Sequence, residues 1–263
     1  MRYYLRSALM AALLLGMSVN GVLIALVCNL RGKAEMTNYY VGRTCAFLGS
    51  YLLGVEYDVI NEHLLELSHP AVVICNHQAT LDVVSMGRIM PKGVVVMGKK
   101  SLRWVPFLGQ FMLLGGAVFI DRKDRKGALE TMAYVSRILR AEKKSIFIFP
   151  EGTRSRQLTN DLLPFKKGAF YLALEGQYPI VPIVVSTYHQ VYSSRLRLFE
   201  GGKLVIKVLD PIPTKGRAPA DVNDLIDEVH AAMSKALREI SGPPSPEARL
   251  VGSAARPDAV KQE

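Results

Sequence analysis

Residues 71–82 read AVVICNHQATLD, and the order of residue types in that stretch points to one class of fold. Ala71–Cys75 is a short unbroken apolar run. A strand with one face in water alternates polar and apolar residues. A strand without that alternation is buried on both faces, as in a parallel sheet covered by helices. Asn76, His77, Gln78 and Thr80 interrupt the run, and Leu81–Met90 then reads as a helix. The same rhythm extends outward along the chain. Strands are expected at Val94–Met97, Ala117–Ile120, Ile146–Phe149 and Ile180–Val185, with a weaker signal over 204–209. Ala128–Leu139 carries apolar residues at 129, 132, 135, 138 and 139, and Phe165–Leu174 also reads as helical. A closing helix has apolar residues at 222, 225, 226, 229, 233, 237 and 240. The expectation is an α/β fold, its sheet mostly parallel or mixed and flanked by helices.

The N-terminus is of another kind. Residues 7–30, SALMAALLLGMSVNGVLIALVCNL, hold no charge in 24 positions. A helix of that length crosses a bilayer core of roughly 30 Å. Ser18, Asn20 and Gly21 interrupt it near the middle, so a bent or re-entrant helix also fits. A cleaved signal peptide fits less well. Arg2 and Arg6 supply a positive start, but the run is too long and no small-x-small site follows, so a retained anchor is favoured. Thr44–Val55 is a second apolar patch of 12 residues, too short to span. It suits an interfacial or re-entrant segment and an ordinary core helix equally. The organisation expected is an N-terminal membrane-embedded segment over 1–58, an α/β domain over 59–240, and a disordered tail over 241–263 with four prolines.

Composition narrows the classes further. The chain has 263 residues, of which 49% are hydrophobic, too many for a disordered chain. Three cysteines cannot build a disulfide framework. The net charge is +10, and residues 92–167 hold all of that excess, with 16 Lys and Arg against 6 Asp and Glu. A concentrated basic stretch implies an anionic partner, whether phosphate ligand, anionic lipid or nucleic acid.

Four blocks carry chemistry. The first is Asn76-His77-Gln78-Ala79-Thr80-Leu81-Asp82, at the end of the buried strand where α/β folds place ligands. His77 and Asp82 are five apart, roughly 140° around a helix. They pair only if His77 lies in the turn and Asp82 in the first helical turn, with Thr80 as N-cap. A histidine oriented by a carboxylate is a general base. The plainer reading is a capping histidine beside an aspartate favoured by the helix dipole. The second block, Phe149-Pro150-Glu151-Gly152-Thr153-Arg154-Ser155, also follows a buried strand. Gly152 permits close backbone approach, and Arg154 offers a fork of donors suited to phosphate. Glu151 suits either orienting Arg154 or accepting from a ligand hydroxyl, and the plainer reading of the block is a turn with a solvated arginine. The third is Gly116–Arg122, GAVFIDR, ending in an Asp121-Arg122 pair worth little as a surface ion pair. The fourth is Val181-Pro182-Ile183-Val184, preceded by Phe165–Phe170, FKKGAF. Its proline predicts a bulge or an edge strand. Ser85, Ser101 and Ser155 lack a Gly-x-Ser-x-Gly elbow, against a serine hydrolase. Of the metal-ligating types only His77 and Cys75 stand close, so no metal is expected.

Together, in this order, the four blocks resemble the glycerolipid acyltransferase family over roughly residues 70–212. NHQATLD and FPEGTRS at this spacing are a specific joint signal, and VFIDR, LPFKKGAF and PIVPIVV strengthen it. Ala117 stands where a larger residue is usual. The resemblance implies transfer of a fatty acyl group from a thioester to the free hydroxyl of lysophosphatidic acid, giving phosphatidic acid. It puts the catalytic pair on His77 and Asp82. It puts phosphate binding on Glu151, Gly152, Thr153 and Arg154, with Arg122 beside them and Lys99 or Lys100 as further phosphate or oxyanion contacts. No cofactor is implied; acyl-CoA is a co-substrate, with acyl carrier protein the other donor. The partners expected are the lysolipid, acyl-CoA and a phospholipid membrane, that of the endoplasmic reticulum or a bacterial inner membrane. Nucleic acid is not expected, because no motif for it appears. Two alternatives stay open: a related acyltransferase using glycerol 3-phosphate or another lysolipid, and a membrane-anchored module that binds anionic lipid without catalysis.

Overall fold

The computed structural model describes residues 1–66, 70–121, 135–139, 141–142 and 144–242. Its strands are β1 (Val55–Ile60), β2 (Val72–Cys75), β3 (Val94–Lys99), β4 (Val118–Ile120), β5 (Ser145–Ile148), β6 (Ile180–Val185), β7 (Tyr192–Ser193), β8 (Leu198–Phe199) and β9 (Gly202–Val208). Seven form one sheet in the order β1-β9-β6-β2-β5-β3-β4. Strands β6, β2, β5, β3 and β4 are mutually parallel. β9 meets β6 antiparallel and β1 parallel, so the last two strands run the other way. The sheet is therefore mixed. β7 and β8 form a small antiparallel pair of their own.

The helices are α1 (Arg2–Leu30), α2 (Thr37–Leu53), α3 (Asp82–Ser85), α4 (Leu108–Leu114), α5 (Gly168–Gly176) and α6 (Val222–Ser241). They cover both faces of the sheet, and strand alternation sorts the side chains between the two cores. Val73, Cys75, Phe147, Val181, Ile183 and Val185 join Met17 of α1, Val41 and Leu53 of α2 and Val84 of α3. Val72, Ile74, Ile146, Ile148, Ile180 and Val184 join Phe170 and Leu174 of α5 and Leu225, Val229 and Met233 of α6. Each such large apolar side chain contributes roughly 1.5–3 kcal/mol on burial. The expected helix at 128–139 is described only from 135, where it is helical and buries Val135 and Leu139. Of the expected tail, residues 243–263 lie outside the described residues.

Three differences have physical causes. Strand β1 was not legible, and it runs through the boundary expected at residue 58 to pair with β9 along its whole length. Gly54, left-handed at φ 61°, stops α2 and turns the chain straight into β1. Thr44–Val55 is thus mainly the end of α2: Cys45, Ala46 and Leu53 are buried, while Phe47, Tyr51 and Leu52 are exposed. Second, Leu81–Met90 is one α-turn followed by a 3-10 turn over Met86–Ile89. Third, Pro182 occupies an interior strand without a bulge. The antiparallel ladder begins only at Ile183, and the Pro182 carbonyl accepts from Leu209 N at 2.9 Å, so the missing N–H falls outside it.

By length and composition α1 is able to cross a membrane, and 33% of its apolar window is buried within the protein. The buried stripe is Met10, Leu13, Met17, Gly21, Ala25 and Cys28, set against α2 and α4. Leu5, Leu15, Leu23 and Val27 on the rest of the helix are exposed. Both ends are tied to the domain, by Arg2–Glu200 at 2.5 Å and by Asn29 Nδ2 donating to Leu114 O at 3.2 Å.

Candidate active site

The C-terminal ends of β6, β2 and β5 lie side by side, and each releases a polar loop at the same edge. Asn76 fixes the first two together. Its Nδ2 donates to Val185 O at 2.9 Å, and its Oδ1 accepts from Val185 N at 2.8 Å. Gln78 Nε2 adds bonds to Val185 O and Ser186 O. The loops after β2 and β5 are joined by backbone bonds, Ser155 N to His77 O at 2.8 Å and Arg156 N to Gln78 O at 3.1 Å.

His77 lies in the turn and Asp82 opens α3, which brings His77 Nδ1 within 2.8 Å of Asp82 Oδ2. The same oxygen accepts from Gln78 N at 2.5 Å and Ala79 N at 2.9 Å. The Asp82 carboxylate is only 2% exposed, so these donors replace the water it has lost. Tyr188, in the loop after β6, donates to Asp82 Oδ1. The imidazole stacks on Phe149 at 4.0 Å between ring centroids and 17° between planes. With Nδ1–H directed at a carboxylate, Nε2 is the basic nitrogen, and the His77 side chain keeps 16% exposure.

The Phe149–Ser155 block divides into an inner and an outer part. Glu151 is 2% exposed. Its Oε1 accepts from His77 N at 2.7 Å and its Oε2 from Leu163 N at 3.2 Å. Burial pushes its carboxyl up to about 7, against the two backbone donors and with a smaller push from Asp82. The resemblance gave Glu151 to phosphate binding; in the structure each of its oxygens accepts from one backbone N–H, which braces the His77 turn against Leu163. Gly152 turns the chain outward at φ 69°. Thr153 and Arg154 follow on the exposed side. Arg154 Nη1 donates to Thr80 Oγ1 at 2.7 Å, so the two motifs touch through side chains as well. Thr80 is therefore not the expected N-cap; Asp82 itself reaches back to Gln78 N and Ala79 N.

Lys99 ends β3 and Lys100 begins the next turn, one strand beyond β5. Both are exposed, and Lys100 Nζ lies 3.7 Å from Asp121 Oδ2. Arg122 lies outside the described residues. The chain after β6 contributes what sequence reading missed, Tyr188 in the loop and the buried Tyr192 that opens β7. The available signal was the cluster Ser186-Thr187-Tyr188-His189 directly after a buried strand.

Residues 56–186 match the family model described as Acyltransferase. The chain is 42% identical over 239 residues to an uncharacterized acyltransferase of Schizosaccharomyces pombe, covering 91% of this chain and 86% of that one. The chain belongs to the acyltransferase family. This acyltransferase is also 38% identical over 243 residues to a 1-acyl-sn-glycerol-3-phosphate acyltransferase of Saccharomyces cerevisiae, covering 92% of this chain and 80% of that one. It is 39% identical over 220 residues to 1-acyl-sn-glycerol-3-phosphate acyltransferase alpha of Homo sapiens, covering 84% and 77%. The fold of this acyltransferase matches the 1-acyl-sn-glycerophosphate acyltransferase PlsC of Thermotoga maritima with a TM-score of 0.71 over 93% of this chain and 98% of that one. At 20% identity that likeness speaks for the fold.

Proposed function

We propose that this acyltransferase moves a fatty acyl group from acyl-CoA to the sn-2 hydroxyl of lysophosphatidic acid. The observation that carries this reading is the His77–Asp82 pair at 2.8 Å, on a loop bonded to the one that bears Arg154. His77 Nε2 takes the proton of the acceptor hydroxyl as its oxygen attacks the thioester carbonyl. The tetrahedral intermediate collapses with loss of the C–S bond. The imidazolium returns its proton to the departing thiolate, leaving phosphatidic acid and CoA. Asp82 holds the imidazole in one tautomer and stabilises its charged form. Arg154 binds the phosphate, exchanging its bond to Thr80 for a charge-assisted fork; Arg122, Lys99 and Lys100 are proposed as further phosphate or oxyanion contacts. No acyl-enzyme, metal or cofactor enters the scheme.

We propose a membrane as the place of the reaction, that of the endoplasmic reticulum. Its substrates are lipids, α1 presents an apolar face, and the fungal and human relatives are eukaryotic. The test is transfer of labelled acyl groups from acyl-CoA by wild type and His77→Ala, with lysophosphatidic acid and glycerol 3-phosphate compared as acceptors. Activity on the lysolipid that disappears in the variant is expected. Full activity in His77→Ala would sink the general-base role. Preference for glycerol 3-phosphate would move the acceptor, and an inactive folded wild type would favour a lipid-binding module.

A further inference from the structure

The four acceptor sites of a carboxylate are not filled symmetrically at Asp82. Oδ2 holds His77 Nδ1 and two backbone N–H groups, while Oδ1 faces Tyr188. Tyr188 is 3% exposed and sits 106 residues further along the chain, in the loop after β6. Its own backbone is fixed: the Tyr188 carbonyl accepts from Val191 N at 2.8 Å and Tyr192 N at 2.9 Å. Upstream, the Asn76–Val185 clamp locks the end of β6 to the end of β2. The phenol is thus brought to Asp82 by the sheet itself, and both partners are out of water.

We propose that Tyr188 is a positioning residue of the acyl transfer, which fixes the rotation of the Asp82 carboxylate and draws off part of its charge, and so sets the basicity of His77. This rests on His77 being the general base. The phenol gives up no proton in the cycle: burial and the charge of Asp82 hold its own ionisation well above the ordinary tyrosine range. It is a standing donor. A carboxylate that shares its charge with a phenol stabilises the neighbouring imidazolium less. Removing the phenol therefore raises the pH at which His77 loses its proton. The other ionisable groups around the pair are Glu151, bonded to His77 N, and the buried thiol of Cys75, which feels both carboxylates; Arg154 approaches through Thr80.

The experiment is Tyr188→Phe, with kcat, acceptor KM and pH profile measured beside Asp82→Asn, His77→Ala and the double variant Asp82→Asn with Tyr188→Phe. Tyr188→Phe is expected to lower kcat about tenfold, as for one hydrogen bond to a charged group, and to leave acceptor KM within about twofold. Its acid limb moves to higher pH by about half a unit. In the Asp82→Asn background the same change adds little, because the path runs through Asp82. An unmoved acid limb, or a full additive loss in the double variant, overturns the proposal and leaves Tyr188 as packing. A fully active His77→Ala would instead overturn the general-base reading beneath it. Should Tyr188→Phe not fold, a difluorotyrosine at 188 keeps the shape and donates more strongly. It is expected to move the acid limb to lower pH, and an unmoved limb there counts equally against the proposal.

Discussion

Asn76 and Val185 exchange two hydrogen bonds, at 2.9 and 2.8 Å, between the ends of adjacent parallel strands β2 and β6. The amide of one side chain completes the ladder where the strands run out, and the residue after it is His77. In Asn76→Ala the Val185 carbonyl keeps a partner in Gln78 Nε2, but the Val185 N–H is left unpaired. The expected destabilisation is about 1–3 kcal/mol, read by thermal or denaturant unfolding. kcat should fall with it, since Tyr188 and His77 lose their common reference. Normal kcat in a variant destabilised by that amount would count against this coupling.

Arg154→Ala should raise acceptor KM by about 10- to 100-fold and lower kcat by less, because it removes binding shared by ground and transition states. Arg154→Lys should recover part of the loss, having the charge without the fork. An acceptor KM that stays at the wild-type value in Arg154→Ala removes the residue from the phosphate site.

Glu151 predicts a pH-dependent stability. Its carboxyl rises from 4.5 to about 7 on folding. Between those values the native state binds more protons than the unfolded chain, so stability falls as pH rises, by up to about 1.4 kcal/mol per pH unit. The favourable contribution is complete below 4.5 and lost above about 7. Glu151→Gln should flatten the Tm curve of the purified protein across that window relative to wild type. Parallel curves would show that the carboxyl is not shifted.

Gly87 marks the closest approach of α2 to the turn that continues α3. A Cβ there would stand 2.1 Å from the Gly42 carbonyl oxygen, and that backbone cannot yield locally. Gly87→Ala should cost about 2–3 kcal/mol. Gly42→Ala, whose Cβ would meet the Gly87 Cα at 3.1 Å, should cost less, about 1 kcal/mol. Because the displaced turn continues the helix that Asp82 opens, Gly87→Ala should also lower kcat. Equal stability of the two variants would refute the asymmetry.

Local signals explain what the sequence revealed. The β2 run had no polar residue, and β6 is bounded as expected at Ile180 and Val185. The five-residue spacing of His77 and Asp82 allowed pairing with His77 in the turn and Asp82 in the first helical turn, and the pair is present, with the helix starting one residue later than expected. Long-range contacts were hidden. Nothing near residue 188 announces a bond to residue 82, because the bond depends on β6 lying beside β2. Glu151 read as orienting Arg154 or accepting from a ligand hydroxyl, and its bonds to the backbone amides of His77 and Leu163 were hidden, because they depend on how the two loops meet. Strand β1 alternates, with Glu56 and Asp58 on its outer face, but it follows α2 after a single glycine and left no turn signal to divide them.

The short backbone ladder between the loops, Ser155 N to His77 O and Arg156 N to Gln78 O, has a consequence for regiochemistry. It sets the spacing of the two backbones that carry the imidazole and the Arg154 side chain, where side-chain substitutions barely reach. On the proposed reaction that spacing is a gauge for the acceptor: a hydroxyl at one carbon count from the phosphate meets the base, and one nearer or farther does not. Changing which hydroxyl is acylated would then require shifting the pairing of the two loops, not exchanging the residues they carry.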